Sequence, residues 1–172
     1  VLSCIDSRAP VETILDLGLG DIFSVRIAGN VVSPNVLGSL EYACGVAGSK
    51  LILVLGHTKC GAVTASVKFC ASGADPEQAT GCRHLNSIVD SVTPAINREQ
   101  CLTAGDGEGF DRYVELVTKD NVLQAVRQIV EVSPILGRLA SEGKIGVVGG
   151  VYDVAAGEVE FFLDSAVGLP KR

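Results

Sequence analysis

The most continuous apolar stretch in the chain is Lys50 to Gly56, with nothing polar between Leu51 and Leu55. A run of that kind is a strand buried on both faces, as in a parallel sheet. Strand-like and helix-like stretches alternate around it. Val1 to Ile5 predicts a first strand, and Ala9-Pro10 opens a helix with Val11, Ile14, Leu15 and Leu17 as its apolar face until Gly18. Asp21 to Ile27 predicts the second strand, and Ala28-Gly29-Asn30 a loop. Ser33-Pro34 reads as an N-cap and first helical residue, followed at helical spacing by Val36, Leu37, Leu40, Tyr42 and Ala43 up to Gly45 and Gly48.

Beyond the central strand, Cys60 to Cys70 predicts a helix and Ala71 to Gly81, small and polar, a loop. Leu85 to Ile96 predicts another helix, kinked or stopped at Pro94, and Gln100 to Gly109, with three glycines, an irregular segment. Arg112 to Val132 has the best helical periodicity, through Val114, Val117, Val122, Ala125, Ile129 and Val132. Ser133-Pro134 breaks it, and Ile135 to Glu142 resumes as a short helix. Lys144 to Val154 predicts a glycine-rich fourth strand, and Gly157 separates it from Val159 to Leu163 in a hairpin. The expected fold class is α/β: a mostly parallel central sheet of about four strands plus an antiparallel edge strand, flanked by helices. We expect one domain over residues 1–172, long enough to bury a substantial core.

Composition narrows the functional classes. The 47% of apolar residues is high, yet no apolar run approaches the ~18 residues of a membrane span, so no membrane is expected for this segment itself. A net charge of -6, with 14 scattered Lys and Arg, argues against a nucleic-acid partner. The six cysteines are expected to stay reduced, with Cys44, Cys70, Cys82 and Cys101 serving as small apolar residues or incidental thiols. Cys4 stands where a signal peptide would need basic residues, and the chain opens inside a strand without Met. A preceding segment is therefore expected, and a cytoplasmic or cytosolic-face location.

The chemistry concentrates at two strand ends. Cys4-Ile5-Asp6-Ser7-Arg8 follows the first strand, and His57-Thr58-Lys59-Cys60-Gly61 follows the central one. Parallel strands release their chains at the same sheet edge, so the two ends can meet across a crevice. Cys4, His57 and Cys60 would then bind Zn²⁺ and leave a fourth position open. Taken alone, H-x-x-C is common where no metal binds; its company strengthens it. Asp6 and Arg8 are placed for a bidentate pair that keeps the carboxylate ionised. Asp6 would orient a zinc-bound hydroxide or, alternatively, fill the fourth position and close the site. The helix N-terminus at Gly61 favours an anionic product nearby. Cys82-Arg83-His84 is read as incidental rather than as a second metal site.

These residues resemble the β-class carbonic anhydrases, whose paired signatures C-x-D-x-R and H-x-x-C stand here at Cys4–Arg8 and His57–Cys60. The likeness extends through Asp21 to Asn30, Leu40-Glu41-Tyr42-Ala43 and Gly150-Val151-Tyr152-Asp153. The resemblance implies reversible hydration of CO2 to bicarbonate and a proton. It makes Cys4, His57 and Cys60 zinc ligands and Asp6 with Arg8 a catalytic dyad, Asp6 becoming the fourth ligand in a closed state. Phe23 and Tyr42 match aromatic positions lining the substrate pocket, against a plain core role. A homodimer or higher even oligomer is implied as well. Regulated members hold bicarbonate with a tryptophan, an arginine and a tyrosine; Arg26 and Tyr152 match, but Val1 stands in the tryptophan's place. That type of regulation is not expected. The family's N-terminal helical arm and a glutamine upstream of the first strand would precede Val1. Two rival readings stand beside this one: hydrolysis of carbonyl sulfide or carbon disulfide on the same scaffold, and a non-catalytic zinc-stabilised anion-sensing or scaffold domain.

Overall fold

A computed structural model describes residues 1–169. Its centre is a five-stranded sheet in the order β2-β1-β3-β4-β5, formed by β1 (Leu2–Ser3), β2 (Val25–Arg26), β3 (Leu51–His57), β4 (Gly146–Asp153) and β5 (Glu158–Phe161). The first four strands run parallel and β5 pairs antiparallel with β4, as the sequence pattern predicts. Leu51 is exposed, and the six residues of β3 after it are all buried. Ile52 and Val54 face one core cluster with Ile129 and Leu136, while Leu53 and Leu55 face another with Val11 and Val148. The continuous apolar run thus reflects burial on both faces.

Helices fill both sides: α1 (Val11–Ile14), α2 (Pro34–Glu41), α3 (Gly61–Ser72), α4 (Pro76–Thr80), α5 (Leu85–Val92), α6 (Arg98–Thr103), α7 (Glu108–Val132) and α8 (Pro134–Ser141). The Ser33 hydroxyl accepts from Val36 N at 3.4 Å, the expected cap of α2. The helix α7 joins two clusters, giving Val114 and Val117 to the one around Cys4 and Cys60, and Val122, Ala125 and Ile129 to the other. It lies so close to the sheet that a Cβ on Gly56 would stand 2.6 Å from Val122 Cγ2.

Several expected boundaries are corrected. The first two strands are two residues each rather than Val1–Ile5 and Asp21–Ile27, because each pairs only where the other continues: Leu2 with Val25 and Ser3 with Arg26. Upstream of β2 the chain is drawn into a turn, where the Asp21 carboxylate accepts from Gly18 N at 2.7 Å. The first helix ends at Ile14, not at Gly18, since Asp16 takes a left-handed conformation (φ 52°). Within the expected loop Ala71–Gly81, Asp75 caps α4 by accepting from Gln78 N at 2.8 Å. Within the expected irregular segment Gln100–Gly109, Asn97 caps α6 by accepting from Gln100 N at 3.0 Å, and α7 already begins at Glu108. The helix α2 continues into a π-turn at Tyr42–Val46.

Candidate metal centre

The parallel register sets Leu2 opposite Val54 and Ser3 opposite Leu55, so Cys4 leaves β1 level with the last residues of β3. His57 closes β3, and Cys60 is the residue before α3. Between them Lys59 adopts a left-handed backbone (φ 56°), which turns the chain sharply enough for His57 and Cys60 to face the same point. The ligand atoms of Cys4, His57 and Cys60 all lie within 4.8 Å of one another, and all three residues are buried. The expected convergence is present.

Cys4 and His57 are held from outside the cluster. Gly29 N donates to Cys4 Sγ at 3.4 Å; Gly29 has φ 67°, and its carbonyl accepts from Asn121 Nδ2 at 2.8 Å. Arg26 donates through Nε to the Cys4 carbonyl at 2.9 Å and through Nη2 to the Asp6 carbonyl at 2.6 Å. His57 Nδ1 lies 3.0 Å from the Thr58 carbonyl oxygen, which can only accept, so Nδ1 carries the proton. Thr58 is itself fastened to the far hairpin: its N–H donates to the Tyr152 carbonyl at 2.9 Å, and its hydroxyl accepts from Val154 N at 3.0 Å.

The acidic and basic residues form a second layer. Arg8 grips Asp6 through Nε to Oδ1 at 3.0 Å and Nη2 to Oδ2 at 2.7 Å, and Arg8 N also reaches Oδ1 at 2.9 Å. The same Nη2 donates to the Lys59 carbonyl at 3.0 Å, tying the two ligand-bearing loops together. Asp6 Oδ2 stands 3.9 Å from His57 Nε2. The Arg8 guanidinium holds the Asp6 carboxyl well below the usual carboxylate range, against a smaller opposing effect of burial.

The sulfurs of Cys4 and Cys60 are 3.9 Å apart. The neighbouring Cys60 thiol lowers the Cys4 thiol, against burial and with help from His57 and the N–H groups of Asp6 and Gly29. The Cys4 sulfur and then burial push the Cys60 thiol up. Burial disfavours a charged His57, but the neighbouring Cys4 sulfur outweighs it, with help from the Thr58 carbonyl and Asp6, and raises the imidazole.

This donor set fits zinc on two observations. His57 Nε2 is buried without a hydrogen-bond partner and faces the sulfurs. Two thiolates about 2.3 Å from one tetrahedral ion stand about 3.8 Å apart, close to the observed spacing.

Gly61 joins Cys4 and Asp6 along one groove of about 410 Å³, which Ala28 also lines. Phe23 and Tyr42 do not share it. They form an edge-to-face pair with ring centroids 6.3 Å apart, each about half exposed, beside a separate groove with Pro34 and Gly38. Sequence reasoning missed the supporting roles of Gly29, Thr58 and Asn121 and the Arg26 bonds to Cys4 and Asp6. The Ala28-Gly29-Asn30 turn was the one available signal, since glycine followed by asparagine suits successive left-handed residues.

Comparison with known proteins agrees with this geometry. Residues 1–159 match the family model for carbonic anhydrase. The chain is 38% identical over 160 residues to a carbonic anhydrase of Mycolicibacterium smegmatis, covering 93% of this chain and 72% of that protein. It is 34% identical over 157 residues to carbonic anhydrase 2 of Mycobacterium tuberculosis, covering 91% and 70%. Among solved structures it is similar to one of two tetrameric β-carbonic anhydrases of Sordaria macrospora, with a TM-score of 0.78 and 25% identity over 94% of this chain and 78% of that one. The β-carbonic anhydrase CafA of Aspergillus fumigatus gives a TM-score of 0.75 and 28% identity, over 95% and 74%. The chain belongs to the carbonic anhydrase family, in its β class.

Proposed function

We propose that this chain catalyses the reversible hydration of CO2 to bicarbonate and a proton, with zinc held by Cys4, His57 and Cys60. The carrying observation is the meeting of two thiols and an unpartnered imidazole nitrogen beside an ionised Asp6. Zinc, when bound, supplies a Lewis acid that brings the ionisation of water toward neutral pH. The protein's own residues do the rest. Asp6 Oδ2, gripped by Arg8 from one side, has a lone pair left to accept a hydrogen bond from the attacking water and orient it toward the carbon. An Asp6 held by Arg8 through both carboxylate oxygens would leave the fourth position open, and an Asp6 released from Arg8 could take it. The N-terminal N–H groups of α3 at Gly61 favour the bicarbonate anion in the groove.

Phe23 and Tyr42, half exposed and outside their own chain's groove, line the substrate pocket of a second copy across a homodimer interface. The tetrameric relatives named above support self-association. Two measurements test the reading together: zinc content, and CO2 hydration by stopped flow from about pH 6.5 to 9. The expected result is one zinc per chain with activity rising through that window, and an Asp6→Asn variant that keeps its zinc while losing about 10²–10⁴ in rate. Zinc-loaded protein without CO2 hydration would overturn it, and sulfide release from carbonyl sulfide would then identify the rival substrate.

A further inference from the structure

Two further cysteines stand on packed helices of the cluster that also holds Cys4 and Cys60. Cys70 lies near the end of α3 and Cys101 in α6, and both belong to one packed cluster, Cys101 buried and Cys70 partly exposed. The Cys101 sulfur is 3.5 Å from the Val67 carbonyl oxygen, one turn before Cys70 on the same face of α3. Burial raises the Cys101 thiol, and the charge of Cys70 raises it further. Cys101 lines an open cavity of about 730 Å³, with Lys68, Phe69 and Phe110 among its walls, whereas Cys70 lies outside it and is partly exposed to solvent.

We propose that Cys70 and Cys101 form a reversible intramolecular disulfide on exposure to a peroxide, stapling α6 to α3. Cys70, the more accessible sulfur, attacks one peroxide oxygen; the O–O bond breaks, one water leaves and a sulfenic acid remains. The Cys101 sulfur then attacks the Cys70 sulfur and displaces a second water as it loses its proton. Two thiols are oxidised by two electrons, and one peroxide is reduced to two waters. The new bond closes a loop of about 30 residues that contains α4 and α5, so it constrains the unfolded chain.

The test uses zinc-loaded protein, in which Cys4 and Cys60 are engaged by the metal. It is treated with one equivalent of hydrogen peroxide, alkylated without reduction, digested and mapped. The expected result is a Cys70–Cys101 linked peptide, two fewer titratable thiols at unchanged zinc content, and a melting temperature raised by about 5 °C or more. Dithiothreitol should reverse all of these, and Cys70→Ser and Cys101→Ser should each abolish the linked peptide and the thermal shift. Recovery of both residues as alkylated thiols, or linkage of either to Cys82 instead, would overturn the proposal.

Discussion

The sheet edge carrying Cys4, His57 and Cys60 differs from the excursion between residues 73 and 107 in how its backbone is satisfied. At the metal centre the bonds are long in sequence: Arg26 to Cys4 and Asp6, Arg8 to Lys59, Thr58 to Tyr152 and Val154, Asn121 to Gly29. In the excursion they are mostly local: Asp75 with Gln78, Thr80 with Pro76, Asn97 with Gln100 and Thr103 with Glu99. Cross-ties from separate elements fix an atom in space, whereas a local cap fixes only the turn that contains it. The difference explains why the ligands are placed on the first region while the second is built of short helices.

Substitutions should separate the two regions by the size of their effects. The largest is expected for Cys60→Ser, which replaces a buried ligand: metal affinity should fall by more than about a hundredfold, beyond the cost of losing an outer partner. The control Cys82→Ser, at an exposed thiol in the excursion, should leave zinc content unchanged.

Next comes Gly56→Ala at the end of the central strand. The added methyl would meet Val122 Cγ2 at 2.6 Å, and the overpacking should cost about 1–3 kcal/mol of stability, read by urea unfolding.

A smaller effect, present near neutral pH and fading as the solution is acidified, is expected for Arg8→Ala. Because Arg8 lowers the folded-state pKa of Asp6, the pair stabilises the fold above the unfolded carboxylate value and loses that contribution as pH falls through the folded one. In the variant the Asp6 carboxyl should return toward the ordinary carboxylate range, as a carbon-13 NMR titration of that group would read. An Asp6 titration indifferent to Arg8 would contradict the assignment.

The smallest effect belongs to the excursion. Asp75→Ala removes only the cap of α4 and should change global stability by less than about 1 kcal/mol. A loss comparable to that of Gly56→Ala would erase the contrast between the regions.

What was legible in the sequence follows the same division. The strand Leu51–His57 showed itself through an unbroken apolar run, and Ser33-Pro34 through cap chemistry, because both signals are local. The metal ligands could be inferred since the topology of a parallel sheet carries both strand ends to one edge. Strands β1 and β2 could not be sized, as their extent depends on the partner strand. The helices α4 and α6 were hidden by small and polar composition, although Asp75-x-x-Gln78 and Asn97-x-x-Gln100 are capping patterns. The Arg26 contacts with the Cys4 and Asp6 carbonyls exist only once the register is set, so no local pattern announces them. The separate groove of Phe23 and Tyr42 is likewise a fact of three dimensions.

X-ray absorption at the zinc edge tests the central claim most directly, because it reports the ligands without requiring turnover. The geometry predicts a first shell with two sulfurs at about 2.3 Å and one imidazole nitrogen at about 2.0–2.1 Å, completed by one light atom. A shell without sulfur, a four-sulfur shell, or protein that binds no zinc when Cys4 and Cys60 are reduced would contradict it.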